Sequence, residues 1–162
     1  MKETIHTDDA PAAVGAYSQA TTDGDLVFTA GQIPLTPDGE LLDDASIAVQ
    51  TERALDNLLA VLDEAGAAPE DVLKTTVFLA DMDDFDEMNE TYAGYFDESP
   101  PARSPAEAGP PPRGAGAEIR AAAAAGKWGD GEGGPAAGGG PAAGPGAGDG
   151  GQPFLAQIVH AG

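Results

Sequence analysis

The 162-residue sequence predicts an α+β domain over residues 1–125, in which two helices pack on one face of a mixed sheet. Three observations predict this class. Strand-like and helix-like segments follow one another in the order ββ(β)–α–β–α–β(β), with the bracketed strands optional. One long segment repeats apolar residues at helical spacing, and 41% apolar residues suffice for one modest core. No apolar run is long enough to span a bilayer, so we expect no membrane partner.

Short strands joined by turns are predicted in the first forty residues. Residues 2–6, 17–19 and 26–30 are the strand candidates. The Asp-Gly pair in TTDGD indicates a turn between the second and third of them. The phrase LTPDGELL repeats the pattern, with Asp38 and Gly39 between two apolar stretches.

A long amphipathic helix is predicted between Asp44, as its N-cap, and Gly66, which closes its end. Its apolar stripe has three- and four-residue spacing. The stripe consists of Ile47, Thr51, Ala54, Leu55, Leu58, Val61, Leu62 and Ala65.

The second half of the domain predicts a strand, a helix and a last strand. VLKTTVFLA (72–80) is rich in β-branched residues and predicts a strand with both faces covered. The helix after it is capped by Asp83 or Asp84 and stopped by Pro100. Its stripe consists of Phe85, Met88, Tyr92, Tyr95 and Phe96. AEIRAAAAAG (117–126) is a strand by its place in the order, although alanine favours a helix.

Residues 126–162 form a tail of mostly glycine, alanine and proline, which we expect to be largely disordered. The exception is PFLAQIVHA (153–161), for which a strand and a short sticky peptide both remain open.

Several kinds of site are excluded by composition. The chain has no cysteine, and its two histidines, His6 and His160, lie near opposite ends, so no metal site is expected. A phosphate-binding GxxxxGK[ST] loop is also absent.

The charge is strongly acidic, with 28 Asp and Glu residues against 7 Lys and Arg and a formal net charge of −21. A solvated acidic surface of this kind is typical of halophilic proteins made in a very salty cytoplasm. It opposes nucleic acid, since phosphate binding depends on Lys and Arg. No signal peptide is recognisable, so we expect a cytoplasmic protein.

Five phrases in order resemble the RidA (YjgF-type) family of reactive-intermediate deaminases. They are APAAVGAYSQA (10–20), TAGQIPLTPDGEL (29–41), QTERALDNLLAVLDEAG (50–66), VLKTTVFLADMDDFDEMNETYAGYF (72–96) and PPARS (100–104). The resemblance implies a chorismate-mutase-like fold and a homotrimer with a shared barrel, whose sites lie in clefts between subunits.

The resemblance also implies a reaction: hydrolysis of 2-imino or 2-enamino acids, such as 2-iminopropanoate and 2-aminoacrylate, to 2-oxo acids and ammonia without a cofactor. Arg103 matches the arginine of the family's PARS phrase and would hold the substrate carboxylate with its planar fork. Glu118 matches the glutamate that would orient water and shuttle the proton. Adjacent strands joined by the PPPRG turn would bring the two residues together.

Three further residues are implied by the resemblance as substrate contacts. Tyr17 would line the cleft from the neighbouring subunit, the backbone at Gly31 would help hold the ligand carboxylate, and Asn89 would form a hydrogen bond in the cleft. Two other functions remain open: a non-catalytic carboxylate-binding or regulatory module, and an endoribonuclease or translation inhibitor.

The resemblance fails in places after Arg103. Pro105 stands where a strand residue is usual, AEAGP (106–110) replaces a strand that usually bears valine, and Arg120 replaces an acidic residue common after the Glu-Ile pair. Three explanations are open: trimer contacts compensate, the region has drifted and lost activity, or the recorded sequence is wrong there.

Overall fold

A computed structural model describes residues 1–96, 98–109 and 114–126. It contains six strands and two α-helices, in the predicted order. The strands are β1 (Glu3–Ile5), β2 (Ala20–Thr22), β3 (Leu26–Thr29), β4 (Val72–Leu79), β5 (Ala102–Glu107) and β6 (Ala117–Ala124), and the helices are α1 (Ile47–Glu64) and α2 (Phe85–Ala93). The predictions for residues 127–162, including PFLAQIVHA, lie outside the described residues.

All six strands form one mixed sheet in the spatial order β1-β2-β3-β6-β4-β5. Only β4 and β5 pair in parallel, and the other pairs are antiparallel. The last of the described strands along the chain, β6, therefore lies in the middle of the sheet. The expected adjacency of β5 and β6 is wrong, because β4 lies between them.

Both helices cover the same face of the sheet, called here the helix face. Thr75, Val77 and Leu79 of β4 are buried there, and so are Ala117 and Ile119 of β6. They pack against the apolar stripe of α1 and against Met88, Tyr92 and Phe96 of the α2 segment. The α+β class with two helices on one face is confirmed.

The opposite face of the sheet, called here the open face, bears no helix of the described residues. Phe28 lies on it with 54% of its surface exposed, and Phe78 of β4 is half-buried. The expectation that both faces of β4 are covered is therefore wrong for a single chain. Both helices connect strands on the same side of the sheet, so within the described residues no helix packs on the other side.

Element ends differ from the predictions where local hydrogen bonds decide them. Ser46 caps α1 in place of Asp44, because its hydroxyl accepts from Val49 N at 3.3 Å. Asp84 occupies the N-cap position of α2, as predicted, but its side chain makes no capping hydrogen bond. Asp81 accepts from Asp83 N at 2.8 Å and caps a 3₁₀ turn ahead of the helix.

The second strand begins at Ala20 instead of spanning 17–19, because the preceding residues form a loop held by Gln19. The buried Gln19 amide bonds the backbone of Thr7 and the carbonyl of Pro11.

Proline within β5 is compatible with the sheet. Pro105 lies on the strand at the end of the sheet order, where a missing N–H need not break the pairing with β4. The alanine-rich β6 is a strand because β3 and β4 pair with it on both sides. Tertiary pairing thus outweighs the helix propensity of alanine.

Candidate active site

Arg103 lies on β5 and points to the helix face. Its register partner on β4 is Thr75, which is fully buried under α2. The Arg103 guanidinium carbon lies 4.7 Å from the ring centroid of Tyr92 and 5.3 Å from that of Phe85. Its Nη1 donates to Asn89 Oδ1 at 2.8 Å. The guanidinium is thus held against two rings and one amide.

The Arg103 guanidinium keeps donors for a ligand. Within the described residues it forms no ion pair with a carboxylate, although the chain is strongly acidic. A guanidinium has five N–H donors in a planar fork, and only one of them is engaged by Asn89. This half of the site is suited to bind a carboxylate through two parallel hydrogen bonds.

Glu118 lies on β6 and points to the open face. Its register partner is Phe78 on β4, while its neighbour Ile119 is buried on the helix face. Burial raises the pKa of Glu118 to about 7, and the positive charge of Arg120 opposes this increase. A carboxyl group with this pKa exchanges its proton near neutral pH, as a general acid–base group must.

The backbone of Gly31 packs directly on the Glu118 carboxyl group. A Cβ atom added at Gly31 would stand 2.7 Å from Glu118 Cδ, closer than nonbonded carbon atoms approach. The next residue, Gln32, fixes this approach by exchanging two backbone hydrogen bonds with Ile119, at 2.8 and 2.9 Å. Glycine is required here because a side chain would displace the carboxylate.

Tyr17 lies in the loop before β2 and is half-buried against Ile33, Leu35 and Ala115. Its hydroxyl accepts from Val14 N at 3.4 Å, and burial raises its pKa to about 12. The phenol is therefore neutral at physiological pH and serves as a hydrogen-bonding group.

The five predicted site residues fall into separate groups within one chain. Arg103 and Asn89 meet on the helix face, while Glu118 and Gly31 meet on the open face. Tyr17 belongs to a separate small apolar cluster with Ile33, Leu35 and Ala115. One chain therefore holds the Arg103–Asn89 pair and the Glu118–Gly31 pair on opposite faces, with the sheet between them.

Sequence reasoning missed the residues that position this machinery. Phe85 and Tyr92 flank Asn89 on α2 at i−4 and i+3, a spacing that places all three on one side of the helix. Asn57 of α1 is fully buried and donates to the carbonyls of Ile33 and Leu35, just after Gly31. Its position among the apolar residues of α1 was the available signal.

Among residues 1–96, 98–109 and 114–126, no group of three or more His, Asp or Glu side chains is arranged to hold a metal ion. In the same ranges, neither helix is both long and apolar enough to cross a membrane.

Comparison with known proteins gives consistent matches over most of the chain. Residues 7–125 match the model of a family described as endoribonuclease L-PSP. A RutC family protein of Pyrococcus horikoshii is 46% identical over 123 residues, which cover 76% of this chain and 98% of the relative. An Escherichia coli relative named 2-iminobutanoate/2-iminopropanoate deaminase is 42% identical over 127 residues, covering 76% and 98%.

Solved structures resemble the fold equally well. A crystal structure of a Thermotoga maritima protein titled a putative endoribonuclease is 45% identical, with a TM-score of 0.74, and the match covers 76% of this chain and 98% of that one. The structure of E. coli TdcF with bound serine is 38% identical, with a TM-score of 0.72 and coverage of 75% and 98%.

Proposed function

The chain belongs to the endoribonuclease L-PSP family, which includes the YjgF, RutC and RidA proteins, and from this membership we propose that it hydrolyses 2-imino and 2-enamino acids to 2-oxo acids and ammonia. The observation that carries the proposal is Glu118, a carboxyl group packed on the Gly31 backbone with a pKa raised to about 7. The deaminase name of the E. coli relative supports the substrate class.

The proposed reaction balances with water as the only co-substrate. A 2-enamino acid first takes a proton at its β-carbon and loses one N–H proton, which makes it the 2-imino acid. The Glu118 carboxylate takes a proton from water as the water oxygen bonds to the C=N carbon, and the nitrogen takes a proton from solvent, which gives a carbinolamine. Glu118 then returns its proton to the nitrogen; the C–N bond breaks and ammonia leaves as the hydroxyl gives its proton to solvent and becomes the carbonyl of the 2-oxo acid. A group with a pKa near 7 is suited to both proton transfers.

In this mechanism Arg103 binds the substrate carboxylate through its planar fork. The rings of Phe85 and Tyr92 and the Asn89 amide hold the fork in place, which lowers the entropy lost on binding. Serine, the molecule bound in the TdcF structure, has the same α-carboxylate. Tyr17 would contribute its neutral hydroxyl from a neighbouring copy.

The two halves of the site lie on opposite faces of the sheet, and this favours an assembly in which neighbouring copies complete each other. We propose a homotrimer of chorismate-mutase-like domains, with the open faces turned towards a shared barrel. The exposed Phe28 on the open face fits such burial. Arg103 of one copy would then face Glu118 of the next.

The reaction is tested by measuring 2-oxo acid and ammonia release from freshly generated 2-iminopropanoate. We expect wild type to accelerate release, and both Arg103→Ala and Glu118→Gln to lose about a hundredfold or more of this acceleration. Arg103→Lys tests the fork, since it retains the charge. Glu107→Gln, an exposed carboxylate of β5, is the matched control and should retain full activity. No acceleration by folded wild type would exclude the proposed function.

The shared site is tested by mixing subunits. Arg103→Ala and Glu118→Gln chains are unfolded together, refolded together and assayed. If each site takes Arg103 from one copy and Glu118 from the next, about a quarter of the sites in random trimers are intact and activity returns. Failure to regain activity in mixed trimers would place both residues in one copy's site.

Two other functions are distinguished by the same assays. A non-catalytic module would bind 2-oxo acids through Arg103 without turnover. Calorimetric titration with pyruvate, performed beside the hydrolysis assay, separates binding from catalysis. An endoribonuclease is named by the family description, but the net charge of −21 opposes RNA binding. Cleavage of RNA that is lost in Glu118→Gln would overturn this exclusion.

A further inference from the structure

Arg120 lies on the open face beside Glu118. The two residues are separated by one position on β6, and alternate residues of a strand share a face, about 7 Å apart along the strand. The Arg120 guanidinium carbon lies 4.9 Å from the ring centroid of Phe78. Phe78 is the residue directly opposite Glu118 on β4. The ring under the Arg120 cation thus belongs to the residue paired with Glu118 across the two strands.

The ring of Phe78 restricts where the Arg120 charge can lie. A guanidinium over an aromatic face is attracted by the ring quadrupole and stays close to it. Among the described residues, Arg120 forms no ion pair with any carboxylate. Its side chain is exposed, and no other described contact draws the charge away from the open face.

The other groups facing Glu118 carry little charge. The backbone of Gly31 contributes none, and β4 presents Phe78, Thr76 and, two residues further, Lys74. Lys74 donates to Ser104 Oγ of β5 at 2.9 Å, so its charge is directed to the edge of the sheet. The helices lie on the other face. Within one chain, Arg120 is therefore the cation placed to act on Glu118, and in the proposed trimer Arg103 of the next copy would add a second positive charge.

We propose that Arg120 is a positioning residue that favours the ionised form of Glu118, with Phe78 as the platform that holds its guanidinium. The role of Arg120 in catalysis rests on the proposed function and extends it. Arg120 stands where the family resemblance leads one to expect an acidic residue, and the proposal assigns it a role. A nearby cation stabilises a carboxylate whose burial disfavours ionisation. Burial is the larger effect on the pKa of Glu118, and Arg120 acts in the opposite direction.

The proposal is tested by following the Glu118 carboxyl carbon in NMR pH titrations. Glu118→Gln identifies the signal by its disappearance. In Arg120→Gln the midpoint should move to higher pH, whereas Arg120→Lys should keep it near wild type. Phe78→Leu should move it less and in the same direction. Lys74→Gln, which removes an equal charge from the same face, is the matched control and should leave the midpoint unchanged.

Salt separates a local charge effect from a packing effect. Since Arg120 is exposed, the difference in the Glu118 midpoint between wild type and Arg120→Gln should shrink between about 0.1 M and about 2 M KCl, because the screening length falls as salt is added. An unchanged midpoint in Arg120→Gln would overturn the proposal. An equal shift in Lys74→Gln would also overturn it, since net charge alone would then explain the effect.

Activity gives the second readout. The turnover of each enzyme at neutral pH is divided by its own maximum turnover at alkaline pH. This ratio should be about half as large in Arg120→Gln as in wild type. If the Glu118 midpoint shifts in Arg120→Gln but wild type hydrolyses no imine, the proposed function is rejected and the electrostatic role of Arg120 is retained. If hydrolysis depends on Glu118 but its pH profile is the same in wild type and Arg120→Gln, the electrostatic role is rejected and the proposed function is retained.

Discussion

At the scale of single residues, the site depends on close contacts that leave little room for change. Glu118 is packed on a glycine, Arg103 is fixed by two rings and an amide, and both are half-buried. Burial gives each group a defined position and alters its chemistry at the same time. The consequences of such contacts are measurable one side chain at a time.

Gly31→Ala should reduce turnover at least about tenfold while the protein remains folded. The new methyl group would collide with the Glu118 carboxyl group, which must rotate away from the substrate. The carboxyl group is the end of a flexible side chain, so the cost in stability should stay within about 1–3 kcal/mol. Activity and urea unfolding measure the two effects.

Gly109→Ala is the control for this substitution, because an added Cβ at Gly109 meets nothing within 4 Å. Equal turnover of Gly31→Ala and wild type would contradict the close approach of Gly31 and Glu118.

Glu118→Gln should stabilise the protein above neutral pH and have little effect in acid. The folded state raises the pKa of Glu118 from 4.5 to about 7, so folding takes up a proton between these values. Stability contributed by the protonated group is present below pH 4.5 and is lost as pH rises through 7. The loss amounts to about 3 kcal/mol per chain at most, and glutamine avoids it.

Urea unfolding of wild type and Glu118→Gln at about pH 5 and about pH 8 measures this difference. The stability gain should be larger at the higher pH. A gain of the same size at both values would mean that the carboxyl group is not perturbed by folding.

At the scale of elements, the sequence predicted the type and order of helices and strands but not their arrangement in the sheet. The period of the α1 stripe and the β-branched content of β4 are local signals, and both elements appear where predicted. The pairing of β4 with β5 is parallel and that of β6 with β3 spans most of the chain, so neither leaves a local signal.

The same limit applies to the site. Motif resemblance could nominate Arg103 and Glu118, but it could not tell which face of the sheet each side chain occupies. That depends on register, in which a shift of one residue exchanges the faces. Phe78 and Thr75 differ by three positions on β4, and their partners Glu118 and Arg103 therefore lie on opposite faces.

Asn57→Ala in α1 should destabilise the protein by about 1–3 kcal/mol, because it removes the donor to the Leu35 carbonyl in a buried place, whereas the Ile33 carbonyl still accepts from Leu35 N at 2.7 Å. These carbonyls belong to the segment that follows Gly31, so turnover should fall as well. Urea unfolding measures the stability loss. Glu64→Gln, on the exposed side of the same helix, should change stability by less than about 0.5 kcal/mol.

At the scale of the whole molecule, charge is the dominant feature. An excess of 21 negative charges on a chain of this length repels itself and opposes the compact state. In the described residues, no Lys or Arg side chain pairs with a carboxylate, and the one His–carboxylate contact, between the exposed His6 and Asp8, is an ion pair only when His6 is protonated, so few attractive pairs offset the repulsion. Stability should therefore depend on the ionic strength far more than it does for a neutral protein.

Added KCl should raise the free energy of unfolding, with most of the gain reached by about 1 M, where the screening length has fallen to about 3 Å. The physical reason is the loss of long-range repulsion between carboxylates, which saturates once the screening length is shorter than their spacing. Urea unfolding at a series of KCl concentrations measures the curve. The same series in sodium sulfate at matched ionic strength serves as the comparison. Sulfate is excluded from the protein surface, so it should continue to raise the free energy of unfolding after screening has saturated. A gain that rises without saturation in both salts would attribute the effect to burial, and a flat curve in KCl would mean that the acidic surface does not limit stability.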